Sequence, residues 1–183
     1  MNRNINRKIC EEGLESERLY YRKLRLDDVQ DMFEYASKGE TCRFLKWGPY
    51  IGISQVEKFI GEKIYNYQAP EDILFGIELK EVKKLIGVIR IYNITEKNAD
   101  VSYVLNPLFT GKGYMTETVK NMIELCFQKL QLTVVQAYFV EDNIRSEKVM
   151  INSGMQKDES YEAYEVIKGK TRRVLRYRTE RGN

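Results

Sequence analysis

Histidine is absent from this chain of 183 residues. Any proton transfer near neutral pH must therefore use a carboxylate, a tyrosine, a cysteine, the substrate or water. Cysteine is scarce as well. Cys10, Cys42 and Cys126 lie far apart and form no C-x-x-C pair, so neither a disulfide framework nor a zinc site is indicated. No apolar run reaches the length of a membrane span, and the opening MNRNINRKICEE lacks the apolar centre of a secretion signal. A cytoplasmic protein with no membrane partner is expected. The net charge of +3 is small and dispersed, which argues against nucleic acid as a partner. No G-x-x-x-x-G-K-[ST] loop occurs, and Gly111-x-Gly113 lacks the third glycine of a dinucleotide fingerprint. Hydrophobic residues at 43% and charged residues at 31% fit one ordinary globular domain.

What the chain does have is concentrated between Asn98 and Met155. Val101, Tyr103 and Leu105 alternate as a strand, and Pro107 ends it because proline cannot donate to a sheet ladder. In LFTGKGYMTE, Gly111 and Gly113 allow a tight turn and a close approach of the backbone to a ligand. A helix opens directly afterwards, with Val119, Met122, Ile123, Cys126, Phe127 and Leu130 as its buried stripe. Its free N–H groups and positive dipole end face the loop, which suits a phosphate or pyrophosphate. The glycines alone also read as a plain turn. Cys126, on the buried stripe, is a small core residue rather than a nucleophile. The run LTVVQAYFV is a strand, and Asn143 caps a helix over 144–152 that Gly154 closes.

Together these residues resemble the acyl-CoA-binding core of the GNAT acetyltransferases, in particular the ribosomal-protein N-terminal acetyltransferases of the RimJ/RimL type. The family's [Q/R]-x-x-G-x-[G/A] loop is matched at Gly111 and Gly113, followed by Tyr114, Met115, Thr116 and Glu117. Leu108 stands where the family most often has Gln or Arg. The family's N-x-x-S…G-[F/M] is matched by Asn143, Ser146, Gly154 and Met155, and SERLYYRKLRLDD resembles the start of the same branch. The resemblance implies an α/β GNAT fold over 16–183, preceded by a flexible arm at 1–15. It implies acetyl-CoA as cosubstrate and no metal. The backbone at Val104 and Leu105 would hold pantetheine where the strand splays from its neighbour. The amides of Thr110, Gly111, Lys112, Gly113, Tyr114 and Met115 would hold the pyrophosphate, with Asn143 and Ser146 beside them. For catalysis it implies Ser146 to reprotonate the leaving thiolate and Glu165 as base, with Tyr103 a further acid. Plain structural roles stand beside these: a helix turn, an outward-facing strand residue and a core ring.

The remaining segments fit one mixed sheet of about seven strands and about four helices, in the order β-α-α-β-β-β-α-β-α-β-β. Glu17–Leu26 reads as a strand with Leu19 and Tyr21 on one face. Asp27 or Asp28 caps a helix bearing Val29, Met32, Phe33 and Ala36, and Gly39 closes it. The loop CRFLKWGPYIGIS carries Phe44, Trp47 and Tyr50, a core anchor or, by the resemblance, one wall of the acceptor pocket. Ser54-x-x-Glu57 reads as a capping box for a helix with the stripe Val56, Phe59, Ile60 and Ile64, and Pro70 breaks the chain beyond it. ILFGIELKE and LIGVIRIYNI form a hairpin, and two further strands flank Lys168-Gly169-Lys170. The expected function is acetyl transfer from acetyl-CoA to a primary amine, a protein N-terminal α-amino group first, by a monomer or homodimer. A small-molecule amine (an aminoglycoside, polyamine or amino sugar) shares every motif. A non-catalytic acyl-CoA-binding module is the remaining alternative.

Overall fold

The computed structural model describes residues 3–66 and 72–182. The segment expected as a loose arm is instead a helix, α1 (Arg3–Glu12), followed by a two-residue strand, β1 (Leu14–Glu15). Ile9 and Cys10 of α1 are buried in the main core. In the sequence Ile5 and Ile9 stand one helical turn apart among polar residues, an amphipathic spacing that the polar composition of the segment masks. β2 (Leu19–Arg22) buries Leu19 and Tyr21 on one face, as their alternation predicts. A 3-10 turn over Leu26–Asp28 leads into α2 (Val29–Ala36). There the Asp28 carboxylate accepts from the Arg25 N–H and pairs with Arg22. Gly39 does not close α2, which is capped by Ser37; it opens a one-turn helix, α3 (Gly39–Cys42). α4 (Ile53–Asn66) starts before Ser54, which displaces the expected capping box. The Gln55 side chain accepts from the Ile51 and Gly52 N–H groups instead. Val56 and Ile60 of α4 are fully buried, whereas Ile64 is exposed. The break expected at Pro70 lies outside the described residues.

β3 (Ile73–Leu79), β4 (Lys84–Tyr92) and β5 (Asn98–Leu105) form the predicted antiparallel meander. α5 (Tyr114–Gln128), β6 (Val134–Val140) and α6 (Ile144–Asn152) follow, then β7 (Gln156–Ile167) and β8 (Lys170–Glu180). The sheet has eight strands in the order β1-β2-β3-β4-β5-β6-β8-β7, and β5–β6 is its parallel pair. The short β1 is the strand beyond the seven expected, and α1 and α3 are the helices beyond the four. β8 is inserted between β6 and β7, so β7 is an edge strand paired with β8 alone.

Side chains of α1 and α5 pack on one face of the sheet, and those of α2 and α4 on the other. β3 is therefore buried on both faces, which is why it reads as a nearly continuous apolar run. Where β4 crosses β5, Gly87 sits opposite Leu105, and a Cβ added there would stand 2.4 Å from the Val104 carbonyl oxygen. The missing side chain lets the end of β5 lie close against β4.

Candidate active site

The parallel pairing of β5 with β6 stops at Val101 opposite Ala137. Beyond that point Ser102–Leu105 stay bonded to β4 and Tyr138–Val140 to β8, so the two strands part. Their facing edges keep N–H and C=O groups free for an extended ligand, which can bond to them as an added strand does. A cavity of about 330 Å³ opens at the parting, walled by Val104, Leu105, Thr110, Met115, Asn143 and Ser146 among others. Of the ten cofactor-binding positions expected from sequence, these six are brought together directly.

The other four, Gly111, Lys112, Gly113 and Tyr114, form the turn into α5. Gly111 and Gly113 have φ of +78° and +80°, a region that glycine enters without a Cβ penalty. Leu108 is 71% exposed in a 3-10 turn over Pro107–Phe109 and does not reach the loop from the position where Gln or Arg is usual. A guanidinium arrives from elsewhere. Arg18, just before β2, donates to the Lys112 carbonyl at 2.9 Å and lies over the Tyr114 ring at 4.6 Å.

Arg18 is itself held by Glu117 in the first turn of α5. That carboxylate accepts from Ser16 Oγ at 2.6 Å, from the Arg18 N–H at 2.9 Å and from Arg18 Nε at 2.7 Å. This network is the physical content of the S-x-R stretch near the start of the chain, and sequence reasoning missed it because the partners are about a hundred residues apart. Burial acts to raise the Glu117 pKa, but the bonds from Ser16 and Arg18 outweigh it and hold the carboxyl below its usual range. A carboxylate with a depressed folded-state pKa contributes stability that is full above its unfolded pKa. That contribution is lost as pH falls through the folded value. Glu117→Gln should therefore flatten the loss of stability on acidification below about pH 4.5, a typical carboxyl value. Chemical unfolding of parent and variant from pH 3 to 7 checks this, and parallel curves would remove Glu117 from the acid response.

On the other side of the parting, the Tyr103 hydroxyl donates to the Ser146 carbonyl at 3.0 Å and lies 3.0 Å from Ser146 Oγ. Burial pushes the phenol pKa well above its ordinary value, so the ring keeps its proton at neutral pH. Asn143 caps α6, accepting from the Ser146 N–H at 3.3 Å, and so fixes the turn that carries Ser146. A second cavity of about 410 Å³ lies between the sheet and the α2 and α4 side chains. Leu45, Tyr103 and Val104 border both cavities, so the two meet at the end of β5. Trp47 and Tyr50 line the second one as a stacked pair, ring centroids 5.4 Å apart and 19° between planes.

The sequence profile of the acetyltransferase (GNAT) domain matches residues 18–156. The chain belongs to the GNAT acetyltransferases. This acetyltransferase is 29% identical over 164 residues to the uncharacterized N-acetyltransferase p20 of Bacillus licheniformis, covering 87% of this chain and 90% of that one. Among solved structures it superposes on a ribosomal-protein-S5-alanine acetyltransferase from Vibrio fischeri with a TM-score of 0.72. The two are 21% identical, and the match covers 92% of this chain and 96% of that one. It also superposes on a spermidine N-acetyltransferase from Vibrio cholerae, solved with CoA and spermine, with a TM-score of 0.74. Identity there is 18%, over 90% of this chain and 96% of that one. At these identities both likenesses establish the fold. Family membership makes acetyl-CoA the cosubstrate and an amine the acceptor.

In the acetyltransferase the expected catalytic residues do not all converge. Ser146 and Tyr103 touch each other at the parting, but Glu165 is not part of either cavity wall. Its carboxylate lies 3.0 Å from the Lys46 ammonium. The hairpin tip beside it also reaches the same region, through a 2.7 Å bond from Lys168 Nζ to the Cys42 carbonyl. Glu165 thus faces the loop bearing Trp47 and Tyr50 through a solvent-exposed ion pair rather than facing either cavity. Strand alternation cannot reveal this, because the loop is remote in sequence. Cys126 is fully buried, and burial pushes its thiol up to about 12, which leaves it a core residue as its place on the helix stripe predicts.

Proposed function

We propose that this acetyltransferase acetylates α-amino groups at protein N-termini. The observation that carries the reading is the chemistry of the second cavity: among the described residues no carboxylate lines it, and the chain holds no histidine. A strongly basic amine would arrive protonated and find no group in that wall to deprotonate it. An α-amino group, with a pKa of about 7.7–8.0, is partly neutral already, whereas a lysine-type amine at about 10.4 is not. In this reading the neutral amine attacks the thioester carbonyl at the end of β5. The C–S bond breaks, and the departing thiolate takes a proton from the hydrogen-bonded Ser146–Tyr103 pair. The new amide nitrogen loses its extra proton to water, and water returns a proton to the Ser146–Tyr103 pair. Backbone N–H groups along the parted edge of β5 polarise the carbonyl oxygen.

The test uses two acceptors of different basicity, a short peptide and a lysine side-chain amine. With the peptide, kcat/KM should rise with pH along the peptide's own amine titration, and Glu165→Gln should follow the same curve. A rising limb at lower pH that is common to both acceptors and lost in Glu165→Gln would instead make Glu165 the base. Ser146→Ala should lower kcat with little change in acetyl-CoA affinity, because the proton it relays is needed only in the transition state. An equal fall in affinity would make Ser146 a binding group.

A further inference from the structure

Lys63 and Arg90 are the charged side chains in the wall of the second cavity, and the rest of that wall is apolar, aromatic or neutral. Among the described residues one carboxylate, Asp72, pairs with both of them, 2.6 Å from Arg90 Nε and 4.0 Å from Lys63 Nζ. One negative group shared between two positive ones leaves this end of the cavity with an excess of positive charge among the described residues. Arg90 pairs with Ser102 across β4 and β5, two residues before Val104, where the two cavities meet. Along an extended strand that is roughly 7 Å. The wall near Trp47 and Tyr50 is a flat stacked surface. Tyr35, buried to 1% exposure, also lines the cavity and keeps a hydroxyl with no hydrogen-bond partner.

We propose that the acceptor presents an apolar or aromatic first residue followed by an acidic one, the first lying against Trp47–Tyr50 and the second drawn to Lys63 and Arg90. This rests on the second cavity being the acceptor site of the proposed reaction. The amine sits at the Tyr103–Val104 junction, and a carboxylate on the second residue spans the remaining distance to the cationic end. The unpartnered Tyr35 hydroxyl favours an acceptor that brings a polar backbone group with it. A polycation such as spermidine would have to place its additional ammonium groups beside Lys63 and Arg90, which repel it and offer no carboxylate of the cavity wall to pair with.

Trp47 is the sole tryptophan of the chain, so its fluorescence reports occupancy of this cavity without any turnover. Three probes are compared: Phe-Asp-Ala-amide, Phe-Lys-Ala-amide and spermidine. Thiol release from acetyl-CoA and Trp47 fluorescence are followed in parallel. The expected result is kcat/KM at least tenfold higher for the Asp peptide than for the Lys peptide, saturable quenching by the Asp peptide, and neither transfer nor quenching with spermidine. Lys63→Glu should reverse the order of the two peptides. Spermidine or the Lys peptide matching the Asp peptide in both readouts would overturn the proposal while leaving the enzyme an acetyltransferase. Quenching by the Asp peptide with no transfer to any amine would support the cavity's preference and overturn the proposed reaction instead. No quenching by either peptide would overturn the preference outright.

Discussion

Gly113→Asp is expected to lower acetyl-CoA affinity more than a hundredfold while the protein still unfolds cooperatively near the parent's temperature. Gly113 takes φ +80° and ψ 0° as the residue that caps α5, immediately ahead of the helix's free N–H groups. An aspartate there would set a negative charge where those amides and the helix dipole favour an anion. A Cβ at this position would also lie 3.5 Å from Arg18 Nη2, so the new carboxylate would draw Arg18 away from the Lys112 carbonyl. The backbone penalty alone is small, about 1–2 kcal/mol for an L-residue in the left-handed region. Gly113→Ala isolates that penalty. Calorimetric titration with acetyl-CoA should find the Ala variant weakened only modestly and the Asp variant silent. Parent-like binding by Gly113→Asp would place the phosphates elsewhere.

Gly87→Ala is expected to do comparable damage from within the sheet. The added methyl would stand 2.4 Å from the Val104 carbonyl oxygen, closer than any packed side chain tolerates, and the obstacle is backbone. β5 would have to move off β4 at the point where it walls both cavities. Overpacking of this kind costs about 1–3 kcal/mol. In a domain of this size each kcal/mol lowers Tm by roughly 2–4 °C. The loss of kcat/KM should be larger than that of stability, because a shift of about 1 Å in a positioning strand can cost a hundredfold in rate. Thermal unfolding and steady-state kinetics on the same preparation separate the two. A variant of unchanged Tm and full activity would show that β5 yields freely and that its position against β4 is not what sets the site.

Sequence reasoning could reach elements whose signal is local. The meander, the glycine turn into α5 and the Asn143 cap all rest on residues a few positions apart, and each appears where the pattern puts it. α1 is hidden by its composition: the segment is polar on average, and the helical spacing of Ile5 and Ile9 is outweighed when only polarity is read. Gly39 and Ser54 were misplaced at helix ends, where Ser37 and Gln55 provide the bonds instead. Within the site, the residues carried by the glycine loop and by β5 were legible. The Arg18–Glu117 grip and the Lys46–Glu165 pair were not, since each joins segments that only the fold brings together. The second cavity was the least legible part. It is assembled from α2, α4, β4 and the loop around Trp47, and no single stretch shows that Lys63 and Arg90 share its wall.

The placement of β8 between β6 and β7 bears on how the enzyme becomes active during synthesis. β6 already borders β5 when α6 is being made, but its other edge waits for a strand that comes after β7. β7 has no partner at all until β8 is available, and it is an edge in the finished sheet as well. The contacts of Lys168 with Cys42 and of Glu165 with Lys46 belong to this same late hairpin. A nascent chain that has released β1 through α6 therefore already holds the residues that line both cavities, while β6 still lacks β8 on its outer edge and the loop around Trp47 lacks its contacts from the last hairpin. Activity is expected only once that hairpin closes the sheet.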